Sequence, residues 1–436
     1  MQEKQNDIAL VWFRNDLRVQ DNTVLNNAIR NHQSVIACYC FDPKHYQISE
    51  YGFKKTEKFR AKFLIETIHD LKHNLKACNI ELLVAHESPE TFIKLLVERF
   101  NIQSMYMQKE WTSEEVETSN NVRISLPSEI NIHEYYDQFL YHPKDINMSL
   151  SEIPQIFTNF RKKVEKYSEV RPPVVNHSTE KTVDLTNNTK IPTLEDLGFE
   201  TFETYPNSAF PFTGGETNAL NRLNNYFFET KTLGIYKKTR NGLAGTGFSS
   251  KFSSWLANGS ISSRTIYNKI KEFENKHFKN ESTYWLIFEL IWRDYFKYIS
   301  LKHQNNIFKV GGILKKDYDW KTDDHEIRKW IDGKTRSSFV NANMIEIKKT
   351  GWMSNRGRQN VASFFAKDML LDWRIGAAYF EAMLIDYDVH SNYGNWMYVA
   401  GVGNDPRDRK FNVDLQAARY DANGNFQKLW LQETLF

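Results

Sequence analysis

The feature that most constrains the fold is a regular alternation of short apolar runs and longer amphipathic segments over residues 1–136. Apolar runs of strand length occupy residues 7–13, 34–41, 79–85 and 102–108, and residues 130–136 are a candidate fifth strand. Segments with helical periodicity separate the first four runs. Strand–helix alternation is typical of a parallel sheet covered by helices. We therefore predict a five-stranded parallel α/β domain with a Rossmann-like architecture over residues 1–136.

The segment after the first predicted strand bears on what this domain binds. Proteins with a standard dinucleotide site carry a glycine-rich turn at that position, whereas this chain has "FRNDLRVQDN". A standard dinucleotide site is therefore not expected in the N-terminal domain.

The remaining chain divides into two further parts. Residues 137–212 are polar and interrupted by proline, which predicts an interdomain linker that crosses the surface. From residue 213 to 436 helical periodicity dominates, in stretches such as "STYWLIFELIWRDYF" and "GRQNVASFFAKDMLL". A chain of 436 residues suits two domains. The second is predicted to be all-α.

Composition narrows the class of protein only in part. Aromatic residues make up 14% of the chain, which fits either tight core packing or the enclosure of a planar ligand. The net charge of +3 neither requires nor excludes a nucleic-acid partner, because only a local basic surface would matter.

The cysteines and the apolar runs bear on the cellular compartment. The three cysteines are Cys38, Cys40 and Cys78, and the first two lie two residues apart on one predicted strand. A reduced cytoplasmic chain with no disulfide or zinc framework is expected. The N-terminus lacks the apolar stretch of a signal peptide, and no run of 18 apolar residues predicts a membrane span.

The stretch "LIDYDVHSNYGNW", residues 384–396, concentrates polar side chains beside an apolar helix. If Asp388 caps a helix, then Asp388, Asn392 and Trp396 share one face at i, i+4 and i+8. Gly394 would let a flat ligand approach the backbone. Two other interpretations remain open: a capped helix with a core tryptophan, and a metal site formed by Asp386, Asp388 and His390.

A second polar face is predicted in "GWMSNRGRQNVASFF". On a helix starting near Ser354, the side chains of Asn355, Arg358 and Gln359 lie together. Arg358 is a natural partner for Asp386, because a buried carboxylate requires a cation. The alternative is an ordinary surface arginine.

Two further segments suggest a cavity. In "YWLIFELIWRDYF", Glu289 interrupts an aromatic stripe, and it either lines a polar cavity or leans toward solvent from a core stripe. In "GTGFSSKFSSWL", three serines surround Lys251, which suits a phosphate or pyrophosphate. The serines are Ser249, Ser250 and Ser253. Tyr236 lies upstream and is a candidate to stack on a ring.

Together these segments resemble the photolyase/cryptochrome family, and most closely its DASH-type cryptochrome branch. The resemblance runs from "VWFRNDLRVQDN" through "TRNG", "SSKFS", "ELIWRDYF", "MSNRGRQNVASFFAKDMLLDWR" and "LIDYDVHSNYGNW" to "GNDPRDRKFN". Several long ordered matches make it more specific than any single motif. It implies an α/β antenna domain followed by a helical domain that binds FAD in a U shape.

The resemblance also implies roles for individual residues. Asp386 and Asp388 would flank the flavin and its adenosine, and Asn392 would face flavin N5. Electrons would reach the flavin through Trp320, Trp373 and Trp396. The residues implied to hold FAD are Tyr236, Ser249, Ser250, Lys251, Phe252, Ser253, Arg293, Asn355, Arg358, Asp386, Asp388 and Asn392.

In the family's repair enzymes, light drives an electron from reduced FAD to a cyclobutane pyrimidine dimer flipped out of DNA. Glu289 and Trp292 match the residues that contact the lesion, and Asn355 would touch both flavin and lesion. Gln359 and Tyr398 stand where duplex-repairing enzymes carry a methionine and a tryptophan. The more polar pocket predicts a preference for single-stranded DNA. Asn355 and Gln359 match the positions of the two active-site histidines of (6-4) photolyases, so repair of (6-4) lesions is not expected.

The resemblance extends to other ligands and partners. Glu110 matches an acid associated with a methenyltetrahydrofolate antenna, although bulky Trp111 adjoins it. A monomer that binds DNA, with RNA as a second candidate, is expected, and the basic residues proposed to contact DNA are Arg356, Arg407, Arg409 and Lys410. Two other functions stay open at this point: a blue-light photoreceptor that signals through a partner, and a nucleotide-binding α/β protein without flavin.

Overall fold

The N-terminal part of the chain forms a five-stranded parallel sheet, as the strand–helix alternation predicts. A computed structural model describes residues 7–175, 177–179, 181–183 and 185–432. The strands in chain order are β1 (Ile8–Trp12), β2 (Ser34–Cys40), β3 (Glu81–Ala85), β4 (Ser104–Gln108) and β5 (Asn131–Tyr135). Their order across the sheet is β3-β2-β1-β4-β5. Val11 of the central strand pairs with Ala37 on one side and with Tyr106 on the other.

Four helices accompany this sheet. They are α1 (Thr23–Asn31), α2 (Lys58–Lys76), α3 (Pro89–Phe100) and α4 (Ser113–Ser125). Helix α1 begins where it does because the side chain of Asn22 accepts a hydrogen bond from the backbone N–H of Leu25. Apolar residues of the sheet and helices form two clusters, one on each face of the sheet.

Residues 137–212 have more structure than the polar composition indicates. They contain α5 (Phe157–Tyr167), which the sequence did not predict. Phe139, Phe160 and Val164 are buried in the same apolar cluster as the C-terminal helices. This segment therefore supplies part of the core of the helical domain, while the domain limits given above remain a prediction.

The C-terminal part is helical, as predicted. Its helices are α6 (Glu216–Asn224), α7 (Tyr236–Thr239), α8 (Ser253–Ala257), α9 (Ser263–Lys276), α10 (Glu281–His303), α11 (Asp324–Ile331), α12 (Ser338–Thr350), α13 (Asn355–Ser363), α14 (Trp373–Met383), α15 (Val389–Ala400), α16 (Val413–Tyr420) and α17 (Asn425–Leu431). The π-helical turns Asn225–Glu229 and Phe364–Asp368 extend α6 and α13. Across the described residues, no helix is both long and apolar enough to cross a membrane.

Helices α10, α14 and α15 pack closely because two glycines leave room for aromatic rings. A Cβ added at Gly376 of α14 would lie 2.3 Å from the ring of Trp396 on α15. A Cβ added at Gly394 of α15 would lie 2.2 Å from the ring of Phe296 on α10. The expectation that Gly394 faces a flat ligand is therefore wrong, because Phe296 occupies that space.

Buried charges join the two domains. The guanidinium of Arg264, on α9, lies 2.7 Å from a carboxylate oxygen of Asp21 and 2.8 Å from one of Asp137. Arg18 adds a second cation that pairs with Asp137. All four side chains are at most 4% exposed. The loop after β1, which lacks a phosphate-binding glycine turn, thus serves as part of the domain contact.

Candidate functional site

A cavity of about 390 Å³ opens within the helical domain, a size common for ligand sites. Its walls come from the loop before α8 and from α10, α13 and α15. Most of the site residues expected from the sequence line it: Tyr236, Ser249, Ser250, Lys251, Phe252, Ser253, Glu289, Trp292, Arg293, Asn355, Arg358, Gln359, Asp386, Asp388 and Tyr398. Residues far apart in the chain therefore meet at one place.

The ion pair expected between Arg358 and Asp386 is present in the cavity lining. The guanidinium Nη2 of Arg358 lies 2.9 Å from Oδ1 of Asp386, whose side chain is 3% exposed. The Nε of Arg358 donates to the carbonyl oxygen of Met353 at 2.8 Å, which orients the guanidinium. Ser354 starts α13 by accepting a hydrogen bond from the backbone N–H of Gly357.

Asp388 has two roles that follow from its position before α15. One carboxylate oxygen accepts a hydrogen bond from the backbone N–H of Ser391 at 2.8 Å and so caps the helix, as predicted. The other lies 3.0 Å from the ammonium of Lys297 on α10. Burial alone would raise the pKa of Asp388, but Lys297, His390 and Arg293 together hold that pKa well below its usual range. Asp388 is therefore a fixed anion.

The metal interpretation of this segment finds no support. Nδ1 of His390 lies 2.7 Å from the hydroxyl of Ser300, and its ring stacks on Trp111. The described part of the chain contains no group of three or more His, Cys, Asp or Glu side chains that could hold a metal.

The loop before α8 carries the expected serine cluster around an unpaired cation. Arg222 donates to the backbone carbonyls of Ser249 and Ser250, which fixes the loop. Lys251 adopts the left-handed conformation at φ 65°, and its ammonium lies 4.8 Å from the centre of the Trp352 ring. Among the described residues, this ammonium has no carboxylate at ion-pair distance. Burial lowers the pKa of Lys251 to about 8.

These features fit a dinucleotide. A buried cation that no anion pairs with in the described part of the chain, flanked by serine hydroxyls, suits a pyrophosphate. The apolar wall formed by Phe252, Leu286 and Val399, with Asp386 and Arg358 as directional polar groups, suits a planar ring system.

The cavity lining also combines a carboxylate with aromatic rings. Glu289 of α10 forms an ion pair with Arg240. Burial raises the pKa of Glu289, and Arg240 opposes this shift. Trp292, one helical turn further on, stacks on Phe157 with ring centroids 3.6 Å apart and meets Tyr398 edge-on at 6.1 Å. Glu289 thus lines a polar cavity, and the core-stripe alternative does not apply.

Gln359 and Tyr398 also line the cavity, and each is hydrogen-bonded to an arginine. Gln359 Oε1 accepts a hydrogen bond from Arg356 at 2.9 Å. The hydroxyl of Tyr398 accepts one from Arg409 at 3.0 Å. Asn355 is exposed at the first turn of α13 and also lines the cavity. Three polar side chains therefore line this wall, beside the apolar Trp292.

Some expected site residues lie outside the cavity wall. Asn392 is buried and donates to the carbonyl oxygen of Ala377 at 3.0 Å, so it braces α15 against α14. Trp396 packs between these helices, Trp373 is fully buried and donates to Val310, and Trp320 is partly exposed and donates to Ala366.

A second cavity, of about 660 Å³, lies between the domains and contains Glu110. It shares Ala257, Arg293 and Asp388 with the first cavity. Glu110 is buried and accepts a hydrogen bond from the amide of Gln108 at 2.7 Å, and burial raises its pKa to about 6.

The bulky neighbour of Glu110 does not fill this cavity. The indole of Trp111 stacks on Phe139 and His390 with ring centroids 5.4 and 4.5 Å away. Its Nε1 donates to the hydroxyl of Ser300. The side chain is therefore held away from the space beside Glu110.

Three charged residues near the first cavity were not singled out from the sequence. Lys297 follows Arg293 by four residues on α10, so helical spacing could have revealed it. Arg240 pairs with Glu289 across 49 residues, and no local pattern signals such a pair. Glu346, fully buried on α12, acts electrostatically on Lys251. The position of Glu346 along α12 has the spacing of ordinary core residues.

Two family models define the class of protein. The model described as "FAD binding domain of DNA photolyase" matches residues 285–435. The model described as "DNA photolyase" matches residues 9–178. The C-terminal match contains most of α10 and all of α13–α15, which form much of the first cavity. The fold and the site thus define a protein of the photolyase class with an FAD-binding helical domain.

Individual relatives narrow the class further. The cryptochrome DASH of Gloeobacter violaceus is 44% identical over 427 residues, covering 98% of this chain and 85% of that protein. The cryptochrome DASH of Danio rerio is 45% identical over 435 residues, covering 98% and 83%. The crystal structure of the Synechocystis cryptochrome superposes with a TM-score of 0.93 at 40% identity, covering 99% and 90%. The chain belongs to the cryptochrome DASH family.

Proposed function

We propose that this protein uses blue light and FAD to split cyclobutane pyrimidine dimers, preferentially in single-stranded DNA. The observation that carries the proposal is the first cavity, in which Glu289 and Trp292 line the same space as Lys251, Arg358 and Asp386. The charged groups around Lys251 and Asp386 suit a dinucleotide, and Glu289 with Trp292 suits a planar base with hydrogen-bonding edges. Membership of the photolyase class supports DNA as the partner.

The cofactor would be held by the fixed charges of the site. Lys251 and the serines around it would bind the pyrophosphate, and Arg358, Asp386 and Asp388 would bind the polar edges of the rings. Bound FAD in its reduced form supplies a light-driven electron. The protein's own part is to hold the rings, to exclude water and to keep Asp388 ionised through Lys297.

The lesion would enter between Trp292 and the polar wall. Glu289, oriented by Arg240, would hydrogen-bond the dimer and stabilise the charge that it gains. Trp292 would stack on it from α10, and Asn355 would contact lesion and cofactor together. Flipping a base out of a duplex costs a few kcal/mol, and stacking offsets part of that cost.

The strand preference follows from the polarity of two side chains. Gln359 and Tyr398 are engaged by Arg356 and Arg409, so neither presents a purely apolar surface to the dimer. A weaker apolar grip recovers less of the cost of opening a duplex. Arg356 and Arg409, with Arg407 and Lys410, would contact DNA phosphates near the cavity, and RNA is a second candidate ligand.

Three further proposals complete the function. Trp320, Trp373 and Trp396 would carry electrons from the surface to the cofactor. The interdomain cavity would hold a methenyltetrahydrofolate antenna beside Glu110. A reduced, cytoplasmic monomer fits the three cysteines, which are free and buried. The alternative function is a blue-light photoreceptor without significant repair.

The decisive experiment is blue-light repair of one thymine dimer in matched single- and double-stranded oligonucleotides, with reductant and a dark control. Repair of the single strand with little repair of the duplex is expected. A Glu289→Gln variant with unchanged flavin content should repair more slowly. Absence of repair on both substrates by the fully reduced protein would reject the enzyme and favour the photoreceptor.

A further inference from the structure

Tyr318 stacks on Trp320 at the surface of the helical domain. The ring centroids are 4.9 Å apart and the planes are inclined by 29°. The Tyr318 hydroxyl donates a hydrogen bond to Oδ2 of Asp408 at 2.8 Å. Both rings are partly exposed. An oxidisable phenol in ring contact with an indole, and bonded to a carboxylate, has the parts of a proton-coupled redox site.

We propose that Tyr318 is a redox residue that re-reduces oxidised Trp320 while its hydroxyl proton passes to Asp408. In this step the Tyr318 phenol gives one electron to the Trp320 cation radical. The O–H bond breaks and the proton goes to the Asp408 carboxylate. The products are neutral Trp320, a neutral Tyr318 radical and a protonated Asp408. The inference rests on the proposed function, which makes Trp320 the outer member of the tryptophan chain.

The partners of Trp320 favour a strongly oxidising cation. Its indole Nε1 donates to the carbonyl oxygen of Ala366 at 2.9 Å. An amide carbonyl is too weak a base to take the indole proton, so the oxidised ring stays positively charged. The adjoining backbone is held in place because Lys321 donates to Leu370 and Asp372 donates to Lys321. Trp320 is thereby fixed beside the start of α14, which carries Trp373.

The charges around Tyr318 require the electron and the proton to leave together. The ammonium of Lys367 lies 4.6 Å from the centre of the Tyr318 ring, which disfavours a positively charged phenol. The same ammonium pairs with the other oxygen of Asp408. Burial acts to raise the pKa of Asp408, but Lys367 and Tyr318 hold that pKa below its usual value, so the proton acceptor is ionised.

Before oxidation, the proton is on the Tyr318 hydroxyl, as the proposed step requires. Burial and Asp408 raise the pKa of Tyr318 to about 12, so the phenol is neutral near pH 7. Once the proton has moved, the oxidised site carries no charge on the tyrosine. Return of the electron then needs the proton to come back from Asp408, which prolongs the separated state.

The first test is flash photolysis of the flavin-loaded protein, followed by transient absorption and by electron paramagnetic resonance on protein with ring-deuterated tyrosine. A tyrosyl signal should grow as the tryptophanyl signal decays. Tyr318→Phe should lose the tyrosyl signal and retain the tryptophanyl one. Asp408→Asn keeps an oxygen acceptor but cannot take the proton, and tyrosyl formation should slow by roughly 10²-fold, as for loss of a positioned base. Tyr167→Phe, at a tyrosine that is 55% exposed, is the matched control.

The second test separates this inference from the electron chain on which it rests. Azide radicals generated by pulse radiolysis in the dark oxidise tryptophans directly, without light or flavin. Wild-type protein should show a tyrosyl component that Tyr318→Phe and Trp320→Phe both lose. If radiolysis gives this result but flash photolysis gives no radical, the proposed tryptophan chain would be overturned, while the redox role of Tyr318 would be supported. Tryptophanyl decay and tyrosyl yield that are identical in wild type and Tyr318→Phe would overturn the role of Tyr318.

Discussion

Glu346 is a buried acid of α12 that has an energetic cost for the fold. Its side chain is fully buried, and neither carboxyl oxygen has a hydrogen-bond partner among the described residues. Burial raises the pKa of Glu346 to about 8, while Lys251 and Arg358 oppose the shift. The ordinary value is 4.5, so the folded state prefers the protonated acid. The free energy of unfolding therefore falls as pH rises between these two values.

Replacing Glu346 by glutamine should remove this cost. At pH 5 the variant and the wild type should unfold nearly alike, whereas at pH 8 the variant should be more stable by roughly 4 kcal/mol. Urea unfolding at the two pH values measures the difference. Glu117→Gln, at an exposed glutamate, should show no such pH dependence. Equal stabilities of variant and wild type at pH 8 would contradict the buried-acid interpretation.

Lys251 predicts opposite effects on stability and on ligand binding. Because its buried ammonium has no ion-pair partner among the residues that the structure describes, Lys251→Met should leave the apoprotein as stable as the wild type or more so. The same change should weaken FAD binding by about 1.5–3 kcal/mol, the usual contribution of a hydrogen bond to a charged group.

Apoprotein unfolding and calorimetric FAD titration measure the two effects of Lys251→Met separately. Lys238→Met removes an exposed lysine of α7 and should change neither. A variant that binds FAD with wild-type affinity would show that Lys251 does not face the pyrophosphate.

At the scale of helices, the crossing of α14 and α15 depends on the missing side chain of Gly376. Alanine normally favours a helix over glycine by about 1 kcal/mol. Here the added Cβ would lie 2.3 Å from the Trp396 ring, so Gly376→Ala should instead destabilise the fold by about 1–3 kcal/mol. Thermal unfolding and the Trp396 fluorescence environment measure the effect.

The control for this change is Gly247→Ala, where an added Cβ meets nothing within 4 Å. This loop variant should unfold at nearly the wild-type temperature. Stabilisation of the protein by Gly376→Ala would show that α14 and α15 can separate without loss.

Elements with a strong apolar pattern were predictable, and those with a weak one were not. Strands β1–β4 follow runs of mostly buried residues, and β5 follows a run that is only partly buried, so the sheet was expected. Helix α4 was missed because only Ser119 and Val122 of its 13 residues are buried, which leaves no apolar stripe. Helix α5 was missed because the proline-containing sequence on both sides obscures the apolar pattern formed by Phe157, Phe160 and Val164.

In the site, features set by spacing within one helix were predictable, whereas contacts between helices were not. Spacing along one helix correctly predicted that Asp388 caps α15 and that Arg358 and Gln359 line one cavity. Spacing could not reveal that Asn392 bonds to α14, because that depends on how two helices cross. The Arg240–Glu289 pair likewise exists only once α7 packs on α10.

For the whole molecule, the free energy of unfolding should respond strongly to substitutions among the buried charges between the domains. Arg264→Met would leave Asp21 without its ion pair and Asp137 with Arg18 alone, and removing one partner of a buried pair costs about 3–5 kcal/mol. Arg336→Met removes an exposed arginine that pairs with Asp368 and should cost about 0–1 kcal/mol. Urea unfolding compares the two.

The pH dependence of this loss has a definite sign. Burial alone would raise the pKa of Asp137, but Arg18 and Arg264 lower it below the ordinary value. The stabilisation is therefore present above the unfolded-state pKa and disappears as pH falls. The difference between Arg264→Met and wild type should shrink on moving from pH 7 toward pH 3. A difference that stays constant would exclude this ion-pair origin.

The same charges limit how freely the two halves can be exchanged between relatives. Asp21, Asp137 and Arg18 belong to the first half of the chain, whereas Arg264 belongs to the second. Expressed alone, the first half would present two carboxylates to a single arginine, and the second half would present an orphan cation on a surface shaped for burial. A chimera must therefore retain both sides of the set. Only two halves that both carry their part of this charge set are therefore expected to form a stable interface.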